Sequence, residues 1–379
     1  MNDGTAKLLR TPLYDWHAAH HGRIVEFGGW EMPVQYSSIV DEHHAVRKAA
    51  GLFDISHMGR LTFSGLDAEP LLSRLLTCRV DNLVDGQIRY GLVCNEAGGV
   101  LDDVLVDRLD SMNFGLVVNA SNRTKIVAWI EKLAAVIEHE HRARDLEFED
   151  QTLETAMIAI QGPKALMILS RVTQSAVELG SLKYYSGCPG EVAGLEVFLS
   201  RTGYTGEDGF EIIIEQDAAA TLWQRLLDEG LENGLIPCGL GCRDTLRLEA
   251  AMPLYGHELN ENVDPLTAGL SFAVKLDKPD FIGREALLQI KAQPPQFVRV
   301  GLQLASKRIA REHSEVFVGE TRIGEVSSGT YSPTLEKSIA MAYLGVAHSS
   351  TGTSVEIDIR GKREAATVTP LPFYKRAQS

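Results

Sequence analysis

Two adjacent aspartates, Asp102 and Asp103, follow a pair of glycines in residues 98–106. The glycines predict a turn and the apolar residues after them predict a strand. Because alternate residues of a strand share a face, Asp102 lies with three valines, whereas Asp103 lies with two leucines and Asp107. A carboxylate on an apolar face costs free energy unless it has a partner. Asp102 is therefore either a satisfied structural group or a site group, and burial would raise its pKa toward the range that suits proton transfer.

A second acidic segment, residues 203–211, combines three glycines, two aromatic rings and three acids. The glycines allow the backbone to turn tightly or to approach a ligand. A carboxylate can accept two parallel hydrogen bonds from an amino-pyrimidine edge. The segment therefore suits a pterin or guanine-like ligand, although an acidic, solvated turn would explain the same residues.

A third segment, residues 239–249, predicts a helix with Arg243 and Arg247 on one face. Arg243 also falls beside apolar residues, which predicts a guanidinium held near the edge of the core. An arginine there could bind a carboxylate through two parallel hydrogen bonds. Taken alone, this segment is explained more simply by an ion pair on the helix surface.

Composition limits the function. The chain has 379 residues, which predicts two or three domains, and a formal net charge of −14, which argues against wrapping nucleic acid. Its odd number of cysteines, five, predicts free thiols in a reducing compartment. Residues 1–10 are polar and lack an export signal, and no apolar stretch approaches the ~18 residues that span a bilayer. The cytoplasm is the expected location.

We expect no metal site. Cys238 and Cys242 lack a second ligand pair at the spacing of structural zinc sites. Five histidines near the N-terminus match no familiar ligand spacing: His17, His20, His21, His43 and His44.

Helical and strand patterns alternate along the first two thirds of the chain. The helical patterns cover residues 39–50, 66–78, 122–137, 163–170, 217–233 and 239–252. Hairpin turns between the strand patterns predict an α+β fold rather than a doubly wound parallel sheet. After residues 293–296, short strands divided by Gly, Ser and Pro predict a small all-β domain, either a barrel or a sandwich.

The sequence resembles the aminomethyltransferase family, the T protein of the glycine cleavage system. The matching motifs run nearly from end to end, at residues 11–14, 27–33, 42–47, 51–59, 98–103, 118–122, 161–163, 201–211, 239–249, 254–256, 281–285, 328–333 and 372–374. So many ordered motifs make a chance agreement very improbable.

The resemblance implies a three-domain cloverleaf around a central folate cavity. On this basis residues 1–285 form a folate-binding region of two mixed α+β subdomains, and residues 286–379 form a C-terminal β-barrel domain. The implied reaction takes an aminomethyl group from the lipoyl arm of the H protein. Tetrahydrofolate, the co-substrate, becomes 5,10-methylenetetrahydrofolate, and ammonia and the dihydrolipoyl H protein are released. No metal is needed.

The resemblance also implies roles for individual residues. Asp102 matches the catalytic aspartate, which orients and activates the folate amine. Glu211 matches the carboxylate that binds the pterin edge, Arg243 the cavity arginine, and Tyr374 a C-terminal tyrosine near the folate. Four further residues match positions that line the cavity: Met58, Tyr90, Asn119 and Tyr204.

Three other functions are compatible with parts of the pattern. A folate-dependent demethylase of the same fold would act on a small methylated donor. A non-catalytic folate-binding relative that assists iron–sulfur assembly is disfavoured, because the chain lacks that branch's Lys-Gly-Cys-x-x-Gly-Gln motif. The folate domain of a flavin-linked amine dehydrogenase is disfavoured because no flavin-binding half is present.

Overall fold

The computed structural model describes residues 7–141 and 145–376. Residues 1–6, on which part of the prediction about an export signal rests, lie outside this range. None of the helices in the described residues has the length and apolar character needed to cross a membrane.

Helices and strands are interspersed as far as residue 291, and the described residues beyond it form only strands and a short 3₁₀ turn. The α-helices of the described residues are α1 (Tyr14–Ala19), α2 (Ile39–Lys48), α3 (Ala68–Leu75), α4 (Arg123–His141), α5 (Ala165–Val172), α6 (Ala219–Gly230), α7 (Leu240–Glu249) and α8 (Arg284–Lys291). The strands are β1 (Leu9–Arg10), β2 (Ile24–Phe27), β3 (Trp30–Pro33), β4 (Ala50–Asp54), β5 (Gly59–Ser64), β6 (Ile88–Cys94), β7 (Val100–Arg108), β8 (Asn113–Val118), β9 (Glu147–Asp150), β10 (Thr155–Gln161), β11 (Thr173–Gln174), β12 (Gly187–Val192), β13 (Leu195–Ser200), β14 (Gly209–Glu215), β15 (Leu235–Cys238), β16 (Phe297–Leu304), β17 (Glu315–Val318), β18 (Thr321–Ser332), β19 (Lys337–Gly345), β20 (Ser354–Asp358) and β21 (Arg363–Thr369).

The largest sheet has seven strands in the order β11-β12-β13-β14-β10-β4-β15. Its neighbours are antiparallel except β4 and β15, which are parallel. One face packs against α5 and α6, whose apolar stripes bury Trp223 and Ile168 beside the strand residue Phe210. β4 is an interior strand, between β10 and the edge strand β15, and all five of its residues are buried.

The second sheet is antiparallel and has the order β6-β7-β8-β5-β9. Its core face packs against α3 and α4, where leucines of α3 meet Val104 and Val106 of β7. The opposite face of β7 carries Asp103 and Leu105 toward a cavity. The alternation along β7 therefore separates a core face from a cavity face.

A small three-stranded sheet, β1-β3-β2, closes one side of that cavity. Gly28 and Gly29 form the turn between β2 and β3, with φ values of 56° and 85° that favour glycine. A Cβ atom on Gly28 would lie 3.3 Å from the Cβ of Ala120. The turn can therefore rest directly on the chain that follows β8.

The last six strands form a closed barrel in the order β16-β19-β18-β17-β20-β21. The α+β class and the C-terminal barrel that the sequence predicts are confirmed. The predicted division between residues 285 and 286 falls within α8, whose Leu287 packs on Phe281 in one buried cluster. We propose that the barrel domain begins after α8, near the start of β16 at Phe297.

A buried ionic network joins α2, α7, the barrel and the C-terminal segment. Arg47 pairs with Glu207 and Glu249 at 2.8 Å each. Glu249 also lies 3.3 Å from Nε2 of His43, and Ser332 of β18 donates a hydrogen bond to it. Each charge in the network thus has a partner from another element.

Replacing Arg47 with Met should lower the free energy of unfolding by about 3–5 kcal/mol, because it leaves Glu207 and Glu249 buried without their shared cation. The thermal midpoint of the purified variant measures this loss. The control is Arg171→Met, which removes a half-exposed pair with Glu229 and should cost less than about 1 kcal/mol. Equal losses in the two variants would contradict the importance of the network.

Candidate functional site

A cavity of about 1060 Å³ lies where the two large sheets, α7 and the barrel meet. Its volume suits a ligand at the upper end of small-molecule size. Five segments provide most of its polar lining: the turn between β4 and β5, the face of β7, the chain after β8, residues 202–204, and α7. The barrel adds Arg299 and Ser328.

Asp103, and not Asp102, borders this cavity. Asp102 is completely buried on the core face of β7, as the alternation of residues predicts. Its carboxylate accepts hydrogen bonds from the backbone N of Asn119 at 3.0 Å, from Nδ2 of Asn119 at 2.8 Å and from Nδ2 of Asn122 at 2.6 Å. The sequence-based assignment makes Asp102 the carboxylate that faces a ligand. The geometry favours Asp103 instead.

Asp103 is held by two side chains that also line the cavity. The Tyr90 hydroxyl donates to Oδ2 at 3.1 Å, and Nδ2 of Asn119 donates to Oδ1 at 2.8 Å. The same amide nitrogen binds the carboxylate of Asp102. Asn119 therefore joins two carboxylates that lie on opposite faces of one strand.

Burial raises the pKa values of Asp102 and Asp103. The negative charge of Asp103 raises the pKa of Asp102 further, whereas the hydrogen bonds from Asn119 oppose the shift in both. Two interacting acids lose their protons in succession, because the first charge disfavours the second. The pair therefore retains a proton to higher pH than two exposed aspartates would, which suits proton handling near neutral pH.

Glu211, Thr202 and Arg243 form a second polar region of the cavity. The Thr202 hydroxyl donates to Oε2 of Glu211 at 2.5 Å. Burial raises the pKa of Glu211, while Thr202 and the Arg243 guanidinium lower it. Arg243 lies over the ring of Tyr204, with its Cζ 4.4 Å from the ring centroid. This region presents a carboxylate and a guanidinium to a planar, polar ligand.

Six of the residues predicted for the site line the cavity with Asp103: Met58, Tyr90, Asn119, Tyr204, Glu211 and Arg243. Tyr374 does not line it. Its hydroxyl donates to Oε1 of Glu207 at 2.8 Å, and its ring lies 3.9 Å from Cζ of Arg47. Tyr374 thus fastens the C-terminal segment to the ionic network beside the cavity.

Sequence reasoning missed several cavity residues, including Arg299, Arg311 and His57. The two arginines belong to the barrel domain, and no local pattern connects them with residues more than 100 positions away. Arg247 was predicted on the same face as Arg243, but it pairs with Glu258 at 2.8 Å in full burial. That pairing neutralises the charge of Arg247, which also lines the cavity, whereas the Arg243 guanidinium lies over the ring of Tyr204.

One cluster of potential metal ligands lies outside the cavity lining. Ligand atoms of Glu42, Cys238 and Cys242 all lie within 4.8 Å of one another. Glu42 already accepts hydrogen bonds from three backbone N–H groups, and each thiol donates to a backbone carbonyl. These bonds account for the cluster as part of the contact between α2 and α7.

Asp107 is a further buried acid on the same face of β7 as Asp103. Its Oδ1 atom is buried and has no hydrogen-bond partner among the described residues. Burial, and then the charge of Glu211, raise the pKa of Asp107 to about 8. The neutral acid is therefore the stable form of this group at neutral pH.

Asp107→Asn should make the stability of the folded protein less sensitive to rising pH. In the unfolded chain an aspartate titrates near pH 3.8, whereas folded Asp107 titrates near pH 8. Between these values the folded state binds the proton more tightly, so stability falls as the pH rises from 4 to 8. The amide cannot ionise. Asp107→Asn should therefore remove this pH-dependent fall in the free energy of unfolding, which is on the order of a few kcal/mol.

Thermal midpoints of both proteins between pH 5 and pH 8.5 test this. The control is Asp110→Asn, since the pKa of exposed Asp110 is lowered by hydrogen bonds from residues 112 and 113 and the group is already ionised throughout that range. Parallel profiles for the wild type and Asp107→Asn would contradict the prediction.

Two family models together cover most of the chain. The GCVT N-terminal domain matches residues 13–278, and the glycine cleavage T-protein C-terminal barrel domain matches residues 298–375. A protein of Symbiobacterium thermophilum named aminomethyltransferase is 49% identical over 371 residues, 97% of this chain and 98% of the relative. A protein of Geobacillus thermodenitrificans with the same name is 47% identical over 374 residues, 98% of this chain and 100% of the relative.

A solved structure has the same overall architecture. The crystal structure of glycine cleavage system aminomethyltransferase T from Bartonella henselae superimposes with a TM-score of 0.88 at 35% sequence identity. The superposition covers 97% of this chain and 98% of the other.

Proposed function

The chain belongs to the glycine cleavage T-protein family, and we propose that it is the aminomethyltransferase of a glycine cleavage system. The enzyme transfers a one-carbon unit from the aminomethyl-dihydrolipoyl H protein to tetrahydrofolate. The products are 5,10-methylenetetrahydrofolate, ammonia and the dihydrolipoyl H protein. The similarity to named aminomethyltransferases over nearly the full length of both chains carries this conclusion.

Two protons must move in this reaction. The methylene carbon leaves sulfur and nitrogen and becomes bonded to two folate nitrogens. Each folate nitrogen loses a hydrogen; one proton ends on the dihydrolipoyl sulfur and the other on the departing amine, which leaves as ammonia. A buried acid that shares protons near neutral pH suits this task, and a group within hydrogen-bond reach of the substrate is required.

We assign this role to Asp103, because it borders the cavity and its pKa is raised by burial. Tyr90 and Asn119 hold its carboxylate toward the space that the folate amine would occupy. Asp102 acts through Asn119 as a positioning residue, since its carboxylate is completely buried on the core face and is engaged by three N–H donors of Asn119 and Asn122. This moves the proposed catalytic role by one residue from the assignment made on the sequence.

Glu211 and Arg243 are proposed to bind the pterin ring. One oxygen of Glu211 is engaged by Thr202, and the carboxylate keeps further lone pairs for N–H groups of the ring. The stacking of Arg243 on Tyr204 supplies a flat, positively charged surface for an aromatic ligand. Met58 and Tyr204 complete the apolar contact, whereas Tyr374 supports the cavity from outside it.

The donor distinguishes the proposed reaction from a demethylase of the same fold. Purified protein is mixed with tetrahydrofolate and aminomethylated H protein, and ammonia and 5,10-methylenetetrahydrofolate are measured. Equal amounts of both products are expected. If neither forms while a small methylated amine or sulfonium compound is consumed, the demethylase function replaces the one proposed.

Asp103→Asn should lower kcat by about 10²- to 10⁴-fold and change the affinity for tetrahydrofolate only a few-fold, because the amide keeps the size of the side chain and loses its basicity. Asp102→Asn places an amide against three N–H donors. It should therefore displace Asn119 and weaken both turnover and stability. An inactive Asp102→Asn beside a fully active Asp103→Asn would return the catalytic role to Asp102.

A further inference from the structure

Arg311 is an exposed residue at the rim of the cavity, and the proposed reaction assigns it no role. It lies in the barrel domain, in the loop between β16 and β17. No acid, hydroxyl or ring among the described residues is paired with its guanidinium. A charged group that lines a cavity and has no partner within the protein can pair with a ligand of opposite charge.

The loop that carries Arg311 is packed tightly on the barrel. Ala310 is completely buried, and a Cβ atom on Gly329 of β18 would collide with its carbonyl oxygen. The backbone N of His313 donates to the carbonyl oxygen of Val326 at 2.9 Å. The backbone of Arg311 is therefore held beside the cavity from both sides, while its exposed side chain can adjust to a ligand.

The adjacent acid does not neutralise Arg311. Glu312 lies 3.3 Å from Nδ1 of His257, which also lines the cavity, and 3.7 Å from Nε2 of His313. Each carboxylate oxygen of Glu312 thus faces a histidine. The positive charge of Arg311 remains without a partner although an acid is next to it in sequence.

Arg299 of β16 is a second cation of the cavity lining without an acidic partner in the described part of the chain. Its Nη1 atom donates to the carbonyl oxygen of Ala251 at 3.2 Å and to the sulfur of Met341 at 3.7 Å, both uncharged groups. The barrel therefore presents two unneutralised arginines to the cavity of a chain whose formal net charge is −14. Positive charge concentrated at one wall favours an anionic group on the ligand.

We propose that Arg311, assisted by Arg299, binds a carboxylate of the glutamyl tail of tetrahydrofolate. The inference rests on the proposed function, in which Glu211 and Arg243 bind the pterin ring. Tetrahydrofolate carries its two carboxylates at the end of the molecule opposite to that ring, and a guanidinium can bind a carboxylate through two parallel hydrogen bonds. Since the rim is exposed, water competes for both partners and the gain in affinity is modest.

Two ligands distinguish the tail from the rest of the folate. Tetrahydropteroate has the pterin and aminobenzoyl groups of tetrahydrofolate and lacks the glutamate. In calorimetry, Arg311→Met should raise the dissociation constant of tetrahydrofolate about two- to fivefold, the range of an exposed ion pair. The constant of tetrahydropteroate should stay as in the wild type. Arg311→Lys keeps the charge and should recover part of the affinity for tetrahydrofolate.

The matched control is Arg308→Met in the same loop. Arg308 lies 3.4 Å from Glu364 and outside the cavity lining, so this variant should bind both ligands as the wild type does. Added salt should narrow the difference between wild type and Arg311→Met for tetrahydrofolate, because it screens exposed charges. In the complete reaction, Arg311→Met should raise KM for tetrahydrofolate and change kcat little.

Two results would overturn the role of Arg311. One is an equal change for tetrahydrofolate and tetrahydropteroate in Arg311→Met, whether large or nil, since it would show that the tail makes no contact with this residue. The other is a rise in KM for the H protein with KM for tetrahydrofolate unchanged, which would assign the guanidinium to the carrier protein.

The outcomes also separate this inference from the proposed function. Wild type that binds neither tetrahydrofolate nor tetrahydropteroate would overturn the proposed function and the role of Arg311 with it. Wild type that binds tetrahydrofolate and forms 5,10-methylenetetrahydrofolate, beside an Arg311→Met variant that does both equally well, would overturn the role of Arg311 alone.

Discussion

The side-chain amide of Asn119 is the contact on which the candidate site depends. Its Nδ2 atom donates to Asp102 and to Asp103 at 2.8 Å each, although these residues point to opposite faces of β7. Asn119 follows β8, which pairs with β5 so that Gly59 lies opposite Val118. A Cβ atom on Gly59 would lie 2.4 Å from a Val118 methyl group, so this close pairing requires glycine. The turn that carries His57 and Met58 is thereby held next to the two carboxylates.

The cavity walls come from parts of the chain that are far apart in sequence, and ionic contacts keep them together. Arg47 of α2 binds Glu249 at the end of α7, and the same helix carries Arg243 into the cavity. Ser332 of the barrel reaches the same glutamate. Since these charges are buried, a shift of any one element would leave an unpaired charge. The position of α7, and with it of Arg243, relative to α2 and the barrel is thus fixed by contacts outside the cavity.

Local patterns predicted much of the fold. The helical stripes marked α2 to α7 within a few residues, and the change in composition after residue 293 marked the barrel. The interior strand β4 was missed, because a strand buried on both faces shows no alternation. The helix predicted over residues 39–50 ends at Lys48, where Ala49 leaves helical geometry to begin that strand.

The candidate site was predicted in part. Alternation correctly divided Asp102 from Asp103, but an apolar face can border either a core or a cavity, and the sequence alone does not distinguish them. In the structure, α3 and α4 cover the valine face of β7, so that face borders the core and the opposite face borders the cavity. The environment of Tyr374 was likewise beyond local patterns, because its partners Glu207 and Arg47 are 167 and more residues earlier.

The attachment of Tyr374 has a consequence for biosynthesis. Its backbone N–H donates to the carbonyl of Glu249, and its hydroxyl to Glu207, so the two partners are translated well before it. Pairing between β4 and β15 likewise joins residues about 185 positions apart. Non-local contacts of this kind form late, and domains made early can fold first. The supporting wall of the cavity is therefore completed only after Tyr374 itself has left the ribosome.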